Sequence, residues 1–282
     1  MQKLKKEIEK IVKAALVEDA ALNDITSDLT IPKNHQIYFI IKPREEIILC
    51  GVDAIKICFA ELKKSKKFAA AKLKFAINAK DGDALDSSKS IAHGYGDAKL
   101  IFAAERTILN LIQHLSGIAT TTNQFASVIK SKKTKILDTR KTLPTLRALQ
   151  KYAVGVGGGK NHRFNLQDMI LIKDNHIAAA GGVSQAIIAA KKSGKKIEIE
   201  CDNLQQVEEA IALKPDIIML DNMTIAQIKK AQKIIGKKAL IEISGGINIK
   251  NIAKLRDLEI DFISIGALTH SVKAVDIGLD VL

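Results

Sequence analysis

Arginine is concentrated in one segment of this chain. Six of its 44 basic residues are arginine, and three of these, Arg140, Arg147 and Arg163, lie between residues 135 and 176. A guanidinium group is the better choice where a carboxylate or phosphate must be bound through two parallel hydrogen bonds. The placement therefore predicts an anion-binding pocket. Ordinary surface ion pairs are the alternative interpretation.

Cations in this segment follow short apolar runs. Residues 136–137 and 169–172 are apolar and resemble buried strands. Arg140 and Lys141 follow the first run, and Lys173 follows the second. Charges clustered at the end of a buried strand need a partner or water. The pattern predicts that these cations line a pocket at the ends of parallel strands.

Apolar runs and helical patterns alternate through the rest of the chain. The runs begin at 136, 169, 197, 217, 239 and 262, with helical patterns at 183–193, 204–213, 224–235 and 249–256. This alternation predicts parallel strands and an α/β fold. The carboxyl ends of barrel strands meet on one face, which would gather Arg140, Lys141, Lys173, Glu200, Asp221, Ser244 and Gly266. Six strands favour an incomplete barrel, because a full one has eight; a doubly wound open sheet is the alternative and would spread these residues along an edge.

Glu200 and Asp221 add two carboxylates to the predicted cationic site. They suit Mg2+ held partly by substrate phosphates, or the hydroxyl groups of a sugar. Ser244–Gly246, ahead of a predicted helix, and Gly266–Ala267 predict phosphate-binding loops, because glycine lets backbone N–H groups approach an anion. The residues alone thus predict an α/β-barrel enzyme whose substrate carries carboxylate and phosphate groups.

The residues before about 100 have a different pattern. Strand-like runs at 36–41, 46–50, 71–79 and 90–98 are interrupted by one helical pattern, at 52–62. Strands that are not separated by helices favour antiparallel pairing. This part of the chain is therefore predicted to be a small α+β domain, with helices covering an antiparallel sheet.

A long apolar helical region extends from Lys99 to about Lys130. Arg106 lies within it, and a buried arginine must be paired. We therefore expect Arg106 to face an interface or a site. Gly117 predicts either a break in the helix or a point of close packing.

Composition excludes several classes of protein. No apolar run approaches the roughly 20 residues of a membrane-spanning helix, and the amphipathic start lacks a signal-peptide core, so a cytoplasmic protein is predicted. Three cysteines without metal-ligand spacing indicate reduced thiols. The net charge of +13 would permit nucleic-acid binding, but the lysines are scattered and aromatic residues make up only 4%, which argues against it.

Seven motifs in order resemble one enzyme family. They are Glu105-Arg106 with LSGIAT at 115–120, DTRKT at 138–142, GGGKNHR at 157–163, LIKDNH at 171–176, LDNM at 220–223, EISGGI at 242–247 and FISIGALTHS at 262–271. Together they resemble the quinolinate phosphoribosyltransferases over nearly the whole chain. The resemblance implies the reaction of quinolinate with 5-phosphoribosyl 1-diphosphate to give nicotinate mononucleotide, pyrophosphate and CO2, with Mg2+, in de novo NAD synthesis.

The resemblance also implies a fold and an assembly. Residues 1–113 would form an N-terminal α/β sandwich to which residues 273–282 return, and residues 114–272 would form an open barrel of about seven strands. The family forms homodimers in which an arginine of one subunit completes the site of the other. That arginine corresponds to Arg106.

The family pattern assigns roles to particular side chains. Around the two quinolinate carboxylates it places Arg140, His162, Arg163 and Lys173, with Arg106 from the partner subunit. Around the phosphoribosyl diphosphate and its magnesium it places Lys141, Glu200 and Asp221, with the two carboxylates near the metal directly or through water. Around the 5-phosphate it places Ser244, Gly245, Gly246, Ile265, Gly266 and Ala267. Thr139 is a further predicted substrate-binding residue. Arg140, Lys141, Glu200 and Asp221 are the predicted catalytic residues.

Three positions depart from the family pattern. Leu143 and Thr145 stand where threonine and glycine are frequent, and Gly155 stands where a longer residue is common. Leu143 is also found in a related branch of phosphoribosyltransferases associated with molybdenum transport. Action on another acceptor, as in that branch, is therefore the alternative function.

Overall fold

The computed structural model describes residues 2–131 and 133–282. The chain divides into two compact units. The first comprises residues up to 121 together with 143–157 and 271–282, and the second comprises 122–142 and 158–270. Within the described residues, no helix has both the length and the apolar character needed to cross a membrane.

The first unit is built on an antiparallel sheet. Its strands are β1 (Gln36–Pro43), β2 (Ile47–Ile48), β3 (Leu73–Ile77), β4 (Ala84–Leu85), β5 (Ala92–Asp97) and β12 (Ile277–Val281). Four of them pair in the order β12-β1-β5-β3, and β2 pairs with β4. The predicted antiparallel sheet is therefore confirmed, and the last strand of the chain lies beside β1.

Among the described residues, five α-helices belong wholly or mainly to this unit. They are α1 (Gln2–Glu18), α2 (Ile25–Thr30), α3 (Asp53–Leu62), α4 (Ala98–Ile129, with residues up to 121 in this unit) and α5 (Arg147–Val156). Residues Ala21–Asn23 form a 3-10 helix. The α3 side chains Ile55 and Phe59 are buried, as are Phe39 and Ile41 on β1. Alternate residues of β1 thus supply one apolar face for the helices to cover.

The helix α4 continues through Gly117 without a break. A Cβ atom at this position would collide with the backbone carbonyl of Lys273. Of the two interpretations of Gly117, close packing is therefore correct and a helix break is wrong. Glycine is required here because it alone lets the backbone at Lys273 approach so closely.

The second unit contains a parallel sheet. Its strands are β6 (Lys135–Leu137), β7 (Ile170–Ile172), β8 (Ile197–Cys201), β9 (Ile217–Asp221), β10 (Leu240–Ser244) and β11 (Phe262–Ser264). Its helices are α6 (Asp174–Ala180), α7 (Val183–Lys191), α8 (Leu204–Ala212), α9 (Ile225–Ile235) and α10 (Ala267–His270). From β7 to β10 strands and helices alternate as the sequence predicts.

The strand order is that of a barrel opened at one point. The order β6-β11-β10-β9-β8-β7 makes consecutive strands neighbours, except that β6 and β7 are the two edges. A parallel bridge between Leu137 and Lys160 adds a seventh, single-residue member beside β6. The predicted open α/β barrel is confirmed, and the doubly wound alternative is wrong.

The predicted helix at 249–256 is wrong. The chain forms only a short 3-10 helix at Ile252–Leu255. Asparagine side chains compete for the backbone groups before it: Asn251 Nδ2 donates to the Gly246 carbonyl at 2.9 Å, and Asn251 Oδ1 accepts from the Asn248 N–H at 2.9 Å. The loop after β10 is therefore not followed by the N-terminus of an α-helix.

Candidate active site

A cavity of about 330 Å3 lies at the carboxyl ends of the parallel strands. Its lining contains Thr139, Arg140, Lys141, His162, Arg163, Lys173, Glu200, Asp221 and Ser244, all of them predicted from the sequence. Leu171, Met219 and Ser264 complete the lining. The structure thus gathers predicted cations and carboxylates from several strands into one cavity.

Strand alternation arranges the interior side chains in two layers, because residues two apart on a strand share a face. The layer at the strand ends contains Lys173, Glu200, Asp221 and Ser244, and the next layer contains Leu171, Glu198, Met219 and Glu242. The first layer supplies charge to the cavity. The second layer lies beneath the first, inside the barrel.

Arg140 and Arg163 are the central cations. The Nε atoms of both side chains are buried and have no hydrogen-bond partner among the described residues. Burial lowers the pKa of the Arg163 guanidinium, and the nearby charge of Arg140 lowers it further. Two like charges held together with unsatisfied donors favour the binding of an anion between them.

Three carboxylates form a group at the carboxyl ends of the strands. Glu200 Oε2 accepts a hydrogen bond from Lys173 Nζ at 2.5 Å. Glu200, Asp202 and Asp221 each offer an oxygen, and these oxygens lie within 4.8 Å of one another. An oxygen-only ligand set of this kind suits Mg2+. Asp202 was missed by sequence reasoning, although its place directly after β8 was a signal for it.

A second acidic cluster, formed by His162, Glu198 and Glu242, lies inside the barrel. His162 Nε2 lies 2.9 Å from Glu198 Oε2 and 3.7 Å from Glu242 Oε1. The Ser264 hydroxyl donates a hydrogen bond to Glu242. Burial, together with the charge of Glu198, raises the pKa of Glu242 to about 8. Sequence reasoning missed Glu198 and Glu242, although each is an acidic residue within an apolar strand.

Glutamine at position 242 is expected to remove part of the pH dependence of stability. The raised pKa of Glu242 means that its stabilising contribution is fully present below its ordinary pKa of about 4.3 and is lost as pH rises through about 8. Between these values the melting temperature of the wild type should therefore decline more steeply than that of Glu242→Gln. Thermal melts from pH 5 to 9 measure both slopes. Exposed Glu208→Gln is the control, and equal slopes in Glu242→Gln and the wild type would contradict the prediction.

Gly245 and Gly246 follow β10 with positive φ angles of 90° and 62°. A Cβ atom on Gly245 would overlap Asn222, whereas one on Gly246 would meet no atom within 4 Å. The Asn222 N–H donates to the Ser244 carbonyl at 3.0 Å, so the loops after β9 and β10 are joined here. Gly245 is therefore needed for close approach as well as for its backbone conformation.

Alanine at position 245 should destabilise the protein more than alanine at position 246. Both substitutions place a residue with a Cβ atom in a left-handed backbone conformation, which costs about 1–2 kcal/mol of stability. Only Gly245→Ala adds an overlap, which costs about another 1–3 kcal/mol. Urea unfolding of the two variants measures the difference. A Gly246→Ala variant as unstable as Gly245→Ala would show that the contact with Asn222 is unimportant.

The other predicted phosphate-binding residues lie around the start of α10. A Cβ atom on Gly266 would lie 3.0 Å from His270 Cδ2 and 3.2 Å from Lys141 Cδ. Ile265 is buried, and its N–H donates to the Leu137 carbonyl at 3.0 Å. Ala267 is the first residue of α10. Gly266 therefore leaves just enough room for the Lys141 side chain to pass.

Arg106 belongs to the first unit. Its side chain is 57% exposed, and its Nη2 atom lies 2.6 Å from Glu105 Oε1. The side chain is thus at the surface of α4, and its ion pair is with the preceding residue. An exposed pair of this kind contributes little to stability.

The open α/β barrel, with cations and carboxylates at the carboxyl ends of its strands, defines a barrel enzyme that binds an anionic substrate. The chain belongs to the quinolinate phosphoribosyl transferase family: residues 24–116 match the model of its N-terminal domain, and residues 118–280 match the model of its C-terminal domain. The resemblance seen in the sequence motifs is therefore confirmed.

Similar proteins span nearly the whole chain. A Methanocaldococcus jannaschii protein named "Probable nicotinate-nucleotide pyrophosphorylase (carboxylating)" is 45% identical, over 97% of this chain and 96% of its own length. The Mycobacterium leprae nicotinate-nucleotide pyrophosphorylase (carboxylating) is 40% identical, over 95% of each chain. The solved structure of the nicotinate-nucleotide pyrophosphorylase from Francisella tularensis aligns with a TM-score of 0.90 at 41% identity, covering 99% of this chain and 97% of its own.

Proposed function

We propose that this protein transfers the phosphoribosyl group of 5-phosphoribosyl 1-diphosphate to quinolinate and decarboxylates the product, giving nicotinate mononucleotide, pyrophosphate and CO2. Family membership and the names of the similar proteins support this reaction. The observation that carries it is that Arg140 and Arg163 line the same cavity, each with a buried Nε atom that has no hydrogen-bond partner among the described residues. Quinolinate is a dianion with two adjacent carboxylates, and it matches two adjacent guanidiniums in charge.

The cations orient the acceptor. Arg140 and Arg163 bind the two carboxylates, with Lys173 at the edge of the same cavity. Bidentate contacts fix the plane of the ring and direct its nitrogen at the ribose carbon, which lowers the entropic barrier to transfer. Nicotinate, with one carboxylate, satisfies only part of this set. The site therefore favours quinolinate over nicotinate.

The carboxylates act on the phosphoribosyl donor. As pyrophosphate leaves, positive charge develops on the ribose, and Glu200 and Asp221 are of the right sign to stabilise it. With Asp202, these residues would hold Mg2+, directly or through water. The chemistry that such a bound ion would supply is neutralisation of charge on the departing diphosphate. Lys141 and Thr139 also line this cavity and bind diphosphate oxygens.

Backbone amides bind the 5-phosphate at the far end of the donor. The loop Ser244–Gly246 and the turn at Gly266 and Ala267 present N–H groups that no side chain covers at the glycines. The N–H of the preceding Ile265 donates instead to the Leu137 carbonyl. Gly245 and Gly246 have the positive φ angles that such anion-binding loops use. These two segments leave adjacent strands, β10 and β11, so both can reach one phosphate.

Decarboxylation needs no further group from the protein. Once the ring nitrogen carries the ribose it is positively charged, and it accepts the electron pair released when the adjacent carbon loses CO2. A proton then replaces the carboxylate on that carbon. The cations that bound the departing carboxylate hold it in place until the bond to the ring breaks.

We further propose a homodimer in which Arg106 reaches the cavity of the partner subunit. Arg106 is exposed and lies on a helix that is otherwise largely buried. An added guanidinium would complete the charge balance around a substrate with two carboxylates. Sedimentation of the purified protein tests the assembly. Mixing inactive Arg106→Ala with inactive Arg140→Ala should restore part of the activity, whereas a site contained in one subunit would stay inactive.

A direct assay tests the reaction. Purified protein is incubated with quinolinate, phosphoribosyl diphosphate and Mg2+, and nicotinate mononucleotide and CO2 are followed, with nicotinate in a parallel reaction. Product from quinolinate and none from nicotinate is the expected result. If phosphoribosyl diphosphate binds but quinolinate neither binds nor reacts, the acceptor is another anion, as in the related branch.

A further inference from the structure

His162 is held at three of its atoms. Its backbone N–H donates to Asp138 Oδ1 at 2.9 Å, and its Nε2 atom lies 2.9 Å from Glu198 Oε2. Its Nδ1 atom accepts the backbone N–H of Arg163 at 2.8 Å. The imidazole side chain is only 7% exposed. The ring therefore has one orientation, and it is bonded directly to the backbone of the residue whose guanidinium enters the cavity.

These contacts define the tautomer of the ring. A nitrogen that accepts a hydrogen bond carries no proton, so Nδ1 is bare and the proton is on Nε2. The Nε2–H group then donates to the carboxylate of Glu198. If Nε2 lost this acceptor, the proton would no longer be held there, and the bond from the Arg163 N–H to Nδ1 would weaken.

Two buried carboxyl groups support the ring from within the barrel. Glu198 on β8 is 0% exposed and Glu242 on β10 is 1% exposed, although their layer otherwise contains Leu171 and Met219. Burying two acids costs free energy that apolar side chains would not. Ser264 on β11 donates to Glu242, so three strands converge on this cluster. Burial, and next the nearby charge of Glu198, raise the pKa of Glu242.

We propose that Glu198 is a positioning residue that fixes Arg163 for carboxylate binding through His162. The contacts run from Glu198 to His162 Nε2, and from His162 Nδ1 to the Arg163 backbone. This inference rests on the proposed function, since it assigns the acceptor site to Arg163. It predicts that substitution of Glu198 changes the KM for quinolinate much more than the KM for phosphoribosyl diphosphate.

Two variants at position 198 separate positioning from packing. Glu198→Leu fills similar space but cannot accept from Nε2, whereas Glu198→Gln keeps an acceptor oxygen. A misplacement of about 1 Å can cost roughly 100-fold. We therefore expect Glu198→Leu to raise the KM for quinolinate by about 10- to 100-fold while the KM for phosphoribosyl diphosphate stays close to that of the wild type. Glu198→Gln should restore most of the affinity for quinolinate.

The matched control is Thr134→Val, which removes a buried hydrogen bond to the Ile260 carbonyl in the same unit. It should lower the melting temperature without changing the ratio of the two KM values. A Glu198→Leu variant that is destabilised yet keeps the wild-type ratio would overturn the proposal and leave Glu198 a packing residue. Failure of Glu198→Gln to improve on Glu198→Leu would also overturn it.

The ring itself gives a second readout that does not depend on turnover. Nitrogen-15 chemical shifts of His162 should show a proton on Nε2 in the wild type and in Glu198→Gln, and a changed proton distribution in Glu198→Leu. If the wild type turns over no quinolinate, the proposed function fails. The chemical shifts alone then test whether Glu198 positions Arg163 through His162. Identical shifts in the wild type and Glu198→Leu would then overturn it.

Discussion

Arg140→Ala is expected to lower kcat/KM for quinolinate by about 1,000-fold, since the loss of two charge-assisted hydrogen bonds at about 1.5–3 kcal/mol each corresponds to roughly 10²- to 10⁴-fold. Arg140→Lys keeps the charge but loses the planar pair of donors, so it should recover only part of this loss. Initial rates at varied quinolinate measure both. Exposed Arg256→Ala removes one arginine away from the cavity, and its activity should match that of the wild type.

Arg140→Ala should not destabilise the protein in the absence of substrate. Arg140 lowers the pKa of Arg163 by repulsion, and its own Nε atom is buried without a partner among the described residues. Removing it relieves both costs, so the melting temperature of Arg140→Ala should equal or exceed that of the wild type. An inactive variant that melts lower would instead indicate damage to the fold. A stable variant with kcat/KM within threefold of the wild type would contradict the binding role.

Glu200→Gln should lower kcat by about 100- to 1,000-fold, the range typical of removing one preorganised electrostatic group. In the proposed reaction the substitution removes a negative charge that would face the developing ribosyl cation. It also leaves Lys173 Nζ without the carboxylate that lies 2.5 Å away. Because Lys173 would then add an uncompensated positive charge, binding of Mg2+ should also weaken. Rates measured at increasing Mg2+ concentrations separate the two effects.

Asp202→Asn is the matched comparison for Glu200→Gln. Asp202 offers an oxygen to the same group of carboxylates but is exposed. We expect it to shift the Mg2+ dependence with little loss of kcat at saturating Mg2+. If Glu200→Gln regains full activity at high Mg2+, the role of Glu200 is confined to binding the metal. The proposal that Glu200 stabilises the ribosyl cation would then be wrong.

The strand-end residues were predictable because the ends of buried strands can be recognised in the sequence. An apolar run followed by charge marks the end of a buried strand, and parallel strands place those ends on one face. Lys173, Glu200 and Asp221 were placed correctly in the cavity by this rule alone. The loop after β10 shows where local reasoning fails, because the side chain of Asn251 bonds to Gly246 and replaces the helix expected there.

The sequence by itself determined the α/β alternation and the cations and carboxylates that meet at the strand ends, because these depend on residue types at positions relative to strand ends. Only the tertiary structure decided which interior residues meet. Glu198, Glu242 and His162 are far apart in the chain, and their contact depends on the stagger between strands that are not adjacent in the sheet. That stagger is set by the packing of the whole barrel, and no local pattern of residues contains it.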